Sequence, residues 1–232
     1  VDSYALVFAG LLFTAGTLGD RFGRKGFLQA GLVVFLLGSV YATWMAHTAG
    51  ELIGARAVMG LGGALVMPTT LSILVNAFPA RERAKAIAVW SGIAGVGGAV
   101  GLALGGWLVE HFWWGSTFAI NLPVCMVALV AGGLLLPTSK DPAAPKVDVV
   151  GSLLSIAGLC LLVLGLIEAP HWGWLSSSTL LALGSAVVLL IAFSKWERHT
   201  PMPMLDMSLF RDRRFGVSSL GMTLVFVVLF GF

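Results

Sequence analysis

Charge is scarce in this chain. Only 11% of its 232 residues are Asp, Glu, Lys or Arg, against 58% apolar, and a soluble domain of that length has no single core able to hide so much apolar surface. Cysteine is nearly absent. Cys125 and Cys160 lie in different apolar segments, which excludes a disulfide framework and leaves both as small buried hydrophobes. The histidines are few and dispersed, with His47, His111 and His171 in separate connections on one side and His199 on the other, so no metal-ligand cluster forms. An intramembrane hydrolase would need a nucleophile and a base within reach of each other, and every histidine lies outside the apolar segments or at their ends. A nucleotide-driven pump would need a GxxxxGK loop followed by Ser or Thr, and none occurs. No catalytic residue, metal or cofactor is called for, and a membrane-embedded enzyme or sensor is the weakest of the functional classes considered.

What the chain does have is length of apolar sequence. Uncharged runs extend from Ser3 to Gly19, Gly26 to Gly50, Ala57 to Ala80, Ala86 to Val109, His111 to Ser139, Val149 to Ile167, Ala169 to Ser194 and Phe215 to Phe232. A membrane-spanning helix needs roughly 17 to 25 mostly apolar residues, so each run qualifies. Barrel strands would be about ten residues long with alternating polarity, and these runs are longer and apolar all round. The expectation is an all-α integral membrane protein with about eight transmembrane helices.

The net charge of +3 could suggest nucleic acid as a partner, but the placement of the basic residues points to a bilayer instead. Arg21, Arg24 and Lys25 follow the first run, Arg81, Arg83 and Lys85 the third, Lys140 and Lys146 the fifth, and Lys195, Arg198, Arg211, Arg213 and Arg214 the seventh. Every basic residue except Arg56 therefore falls on one side of an alternating path, which the positive-inside rule assigns to the cytoplasm. Trp44, Trp113, Trp114, Trp172 and Trp174 fall on the other side, as an outer aromatic belt. On this topology Val1 starts outside without a signal peptide or basic flank, so a preceding helix is expected and the chain reads as an internal fragment. The expected organisation is an N-terminal helical half (residues 1–139), a cytoplasmic linker (140–148), two inserted helices (149–194), a cytoplasmic loop (195–214) and the start of a second half (215–232). The linker is rich in proline and charge, and Pro201 and Pro203 interrupt helix in the later loop.

Four charged side chains, Asp20, Arg21, Arg24 and Lys25, crowd into GTLGDRFGRKGF, residues 16–27. Asp20 is expected at the C-terminal end of a helix, where the macrodipole disfavours a carboxylate. Either Arg24, four residues on, or the N-terminus of another helix could compensate. Gly16, Leu18, Asp20, Arg21, Gly23, Arg24, Lys25 and Leu28 resemble, position for position, the signature loop of the major facilitator superfamily called motif A. The resemblance implies a conformational gate that locks two helical halves together, with the aspartate facing a helix N-terminus of the opposite half.

Two further stretches carry weaker resemblances. Arg56 is the one basic residue outside the cytoplasmic connections. A centred arginine is costly and usually functional, yet Glu51 is near enough in sequence for Arg56 to snorkel to the outer surface, and both readings stand. LIGARAVMGLGGA, residues 52–64, is similar to motif B of the superfamily, implying a proton-coupling role for Arg56 with Gly60; Met59 stands where that motif commonly has glutamine. Gly97, Gly101 and Gly105 form a small-residue stripe suited to close helix packing. With Gly106 they resemble motif C of the antiporter branches, although Leu102 replaces the usual proline.

Pro68 interrupts the hydrogen-bond ladder of its run, and backbone groups so freed need protein or a water-filled cavity beside them; Pro68, Thr69 and Ser72 are candidate cavity-lining residues. Over its whole length the chain resembles the fourteen-helix drug:proton antiporter branch, corresponding to helices 2 to 9. That resemblance implies a multi-pass transporter of a bacterial inner membrane. Its partners would be the bilayer, protons and a small-molecule substrate of cationic and lipophilic character. A transporter of a specific metabolite is the alternative. The eleven carboxylates all lie in connections or at helix ends, and the acidic residue carried on helix one of family members is missing, so the fragment alone is expected to transport nothing.

Overall fold

The structure, a computed structural model, describes residues 2–137, 148–200 and 203–230. Among these the chain is helical throughout, with no strand: α1 (Ser3–Phe22), α2 (Arg24–Trp44), α3 (Ala49–Ala77), α4 (Ala80–His111), the single-turn α5 (Ser116–Ala119), α6 (Asn121–Leu135), α7 (Val149–Trp172), α8 (Ser177–His199), a 3-10 helix (Met207–Arg211) and α9 (Arg213–Phe230). Among the described residues, seven spans are long and apolar enough to cross a membrane, α5 and α6 together making one of them. The expected all-α architecture stands. Most of the linker, with Lys140 and Lys146, lies outside the described residues, as does Pro201.

Several ends are set by local chemistry. Thr48 caps α3 by accepting from the Glu51 amide, while the Glu51 carboxylate accepts from the Thr48 amide, a reciprocal capping box. Asp148 caps α7 through the Gly151 amide and Ser176 caps α8 through the Thr179 amide. The turn between the sixth and seventh apolar runs does not fall at Glu168 as the charge pattern suggests. Helix α7 continues through Glu168 and Pro170 to Trp172, and the chain reverses at Gly173, whose φ of 91° favours glycine. At the other end, α8 continues past Ser194 to His199, so the expected 195–214 loop is partly helix and carries the 3-10 turn.

Helix α3 is the hub, packed between α1 and α2 along its length. Its glycines make this possible. A methyl at Gly62 would lie 2.6 Å from the Phe35 amide nitrogen of α2, and one at Gly60 would lie 2.6 Å from the Tyr4 carbonyl oxygen of α1. The α7–α8 hairpin docks on the far side of α1, where Gly10 admits the Cys160 thiol and Phe13 stacks on Phe193 with ring centroids 6.4 Å apart. Leu28, Leu32 and Cys125 form a buried cluster between α2 and α6. The two cysteines thus serve different interfaces, both as free thiols.

Gly62→Ala should therefore destabilise the protein by about 1–3 kcal/mol, because the added methyl meets backbone that cannot swing aside. Gly26→Ala, where nothing lies within 4 Å, should leave stability unchanged or slightly raised. Apparent melting temperatures in detergent compare the two; equal losses would contradict the packing described.

Candidate functional site

The charged signature sequence forms a corner, not a loop. Gly23 is the only residue between α1 and α2, with φ 125° and ψ 116°, a conformation open to glycine and strained for any residue with a Cβ. Asp20 sits in the last turn of α1. Its Oδ1 accepts from Arg24 Nε at 2.6 Å and from Ser72 Oγ of α3 at 2.6 Å. Of the two compensating partners weighed from sequence, Arg24 is the one that meets Asp20 among the described residues, and its side chain is only 8% exposed. The Asp20 side chain is 37% exposed, so one side of the carboxylate stays open.

Lys25 points away from this cluster to α6. Its Nζ donates to the Gly133 and Leu136 carbonyls at 2.8 Å each, and Gln29, one turn on, donates to the Leu129 carbonyl at 3.1 Å. The last carbonyls of a helix have no intrahelical donors, and Pro137 has no N–H to offer. An ammonium from α2 therefore closes α6 and suits the negative end of its dipole. Leu28 is buried beside Cys125, Leu18 is half-buried, and the Arg21 guanidinium lies 5.5 Å from the Phe22 ring centroid. Gly16 and Gly19 face Pro68 and Thr69 of α3.

At the other end of α1, Arg56 donates from Nη2 to Asp2 Oδ1 at 2.8 Å, each side chain about 40% exposed. Neither reading made from sequence included this partner, which precedes the first turn of α1. Ser3 Oγ donates to the Ile53 carbonyl at 2.7 Å beside it. Gly60 lies on the same α1-facing side, against Tyr4, whereas Met59 is buried on the α2 side against Gly38.

The stripe of Gly97, Gly101, Gly105 and Gly106 has nothing within 4 Å of where side chains would start, no residue of α4 is buried, and Leu102 is 71% exposed. Among the described residues this face has no helix against it. Of the cavity candidates, Thr69 is 2% exposed with its hydroxyl bonded to the Leu65 carbonyl, Pro68 packs against Gly16, and Ser72 reaches Asp20. All three sit at the α1–α3 contact.

What sequence patterns missed are the long-range partners: Ser72 for Asp20, Asp2 for Arg56, and the α6 carbonyls for Lys25. The available signals were a serine one turn beyond Pro68 on the cytoplasmic side, and an aspartate on the same side of the membrane as Arg56. Lys25→Met should lower the apparent melting temperature by the equivalent of about 1 kcal/mol, since it removes two charge-assisted hydrogen bonds to carbonyls that water then reaches, while Lys25→Arg keeps most of the stability. A Met variant as stable as the parent would remove the closing role of Lys25.

Residues 2–232 match the profile of the Major Facilitator Superfamily. The chain is 37% identical over its full length to the multidrug resistance protein Stp of Mycobacterium tuberculosis and 39% identical over its full length to the multidrug efflux pump LfrA of Mycolicibacterium smegmatis, covering 43% and 46% of those proteins. Over 91% of its length it is 38% identical to the tetracenomycin C resistance and export protein of Streptomyces glaucescens, of which it covers 39%. The chain thus spans less than half the length of these relatives. With the profile matched along the whole bundle of membrane-length helices, the chain belongs to the Major Facilitator Superfamily.

Proposed function

We propose that this chain is part of a secondary active exporter that moves drugs or lipophilic cations out of a bacterial cell in exchange for protons, by alternating access. The observation that carries this is the Asp20 corner. A carboxylate is held by Arg24 and Ser72 across three helices, with one side open, and such a group can accept a further partner in one conformation and release it in another. In the proposed mechanism that partner is the N-terminus of a helix in a second helical half, as the resemblance of motif A implies, and the rigid Gly23 corner transmits its docking to α1 and α2. The names of the relatives, which concern multidrug and antibiotic resistance or export, support a drug substrate over a specific metabolite.

Arg56, with Gly60 packed beside it, remains the proposed proton-coupling element, and Asp2 supplies the exchangeable carboxylate next to it. The open stripe of Gly97, Gly101, Gly105 and Gly106, with Leu102, is the proposed contact for the second half. In other conformations of the α1–α3 contact, Pro68, Thr69 and Ser72 would border the transport path. Midplane sites flanked by rocking helical bundles are the general pattern in transporters of this kind, and no step assigned here requires nucleotide hydrolysis.

The test is dye efflux from cells producing the full-length protein. Efflux should stop when a protonophore collapses the gradient. Asp20→Asn should lower it at least about tenfold with the amount of protein in the membrane unchanged, the equivalent of losing one charge-assisted hydrogen bond. Efflux that survives the protonophore would overturn proton exchange, and full activity in Asp20→Asn would overturn the gate.

A further inference from the structure

The cytoplasmic end of α8 carries two adjoining hollows that the transport proposal does not use. One is a groove of about 420 Å³ walled by Val187, Leu190, Ile191, Ser194, Lys195 and Arg198. These positions follow helical spacing, so they form one stripe on α8, apolar toward the membrane middle and cationic at the cytoplasmic end. The other hollow, about 570 Å³, shares Arg198 and is bounded by the 3-10 segment, with Glu197, Asp206, Ser208 and Arg211 in its wall. That segment is strapped to α8: the Leu205 amide donates to Glu197 Oε2 at 2.9 Å, and Ser194 Oγ reaches the Met207 sulfur at 3.8 Å. Arg198 therefore stands between an apolar channel and a polar one.

The charges there are unevenly committed. Glu197, 2% exposed, turns one oxygen to the Leu205 amide, and Asp206 accepts from the Ser208 amide. Among the described residues, no ion pair joins Lys195, Arg198 or Arg211 to a carboxylate. Three guanidinium or ammonium groups are thus available at the membrane surface, above a strip of exposed apolar side chains; Val187 and Ile191 are each about half exposed. Arg213 and Arg214 follow after Asp212, whose Oδ1 accepts from the Arg214 amide, and all three are exposed.

We infer that this place on α8 binds an anionic phospholipid of the cytoplasmic leaflet, its phosphate among Lys195, Arg198 and Arg211 and one acyl chain along Val187, Leu190 and Ile191. The charge complementarity selects the headgroup, because basic clusters at the cytoplasmic surface attract anionic lipids. The groove selects a ligand with a tail over a free phosphate. Snorkelling lysine and arginine stems lie along apolar surface while their heads stay in water, and that arrangement suits a lipid standing beside the helix.

The experiment uses the full-length protein, purified in detergent and observed by native mass spectrometry during titration with phosphatidylglycerol, phosphatidylcholine or soluble glycerol phosphate. Retention of phosphatidylglycerol well above phosphatidylcholine is expected, with glycerol phosphate failing to displace it. Each basic residue at such a surface contributes about a fivefold gain. The combined Lys195→Gln, Arg198→Gln and Arg211→Gln protein should therefore lose at least about tenfold, whereas Arg81→Gln with Arg83→Gln should change little. Ile191→Trp, which fills the groove without altering charge, should also weaken retention. Equal retention of the two lipids, displacement by glycerol phosphate, or an equal loss in the Arg81 and Arg83 variant would each overturn the site. All of these outcomes are independent of whether the protein transports anything.

Discussion

Two helices in a bilayer gain nothing by hiding apolar surface from lipid tails that are equally apolar. They associate through contact area, and contact area depends on how closely the backbones can come. In this chain that constraint falls on α3. Gly62 meets the backbone of α2 at Phe35 and Gly31, while Gly60 meets the backbone of α1 at Tyr4, so one helix is pinned from two sides by residues two positions apart. The positions of α1 and α2 relative to each other, and hence of everything at the Asp20 corner, follow from that.

Between the ends of the helices the contacts are mostly of this van der Waals kind. At the ends they are polar. Asp20 gathers Arg24 and Ser72, Lys25 closes α6, Asp148 Oδ2 accepts from Trp196 Nε1 at 2.7 Å to tie α7 to α8, and Arg56 reaches Asp2. The distribution has a physical reason. A polar group in the hydrocarbon must find a partner or carry a penalty of several kcal/mol, whereas at the interface water holds it while a bond is exchanged. Bonds at the helix ends can therefore be exchanged at lower cost than bonds within the hydrocarbon.

The helices were legible from the lengths of the uncharged runs. Local signals were less complete. Glu168 reads as a boundary because it is the only charge between two runs, yet a carboxylate near a helix end is tolerated close to the interface, and the real turn is made by Gly173. Motif A was legible as a motif but not as geometry, since nothing in the spacing of GTLGDRFGRKGF reveals that Ser72, 52 residues on, completes it. Lys25 and the Gly133 carbonyl are 108 residues apart. Periodicity records which face of a helix is apolar or small; it does not record which helix that face meets. The same holds for Met59 and Arg56, neighbours in the stretch that is similar to motif B. On the helix those side chains diverge, Arg56 toward α1 and Met59 into the α2 contact.

The contrast between α3 and α4 carries the remaining argument. Both are long, apolar and rich in glycine, so composition makes them equivalents. In α3, Gly60, Gly62 and Gly63 are met closely by α1 or α2; in α4, among the described residues, the stripe from Gly97 to Gly106 is open. An exposed leucine such as Leu102 is well solvated by lipid at little cost, but a glycine groove is filled poorly by disordered acyl chains and well by the ridge of a facing helix. A stripe of that kind is therefore neutral toward lipid and favourable toward protein, which lets a helix gain or lose a partner without exposing an unsatisfied polar group. Among the described residues the hub and the open stripe share one chemistry, and only the presence of a neighbour separates them.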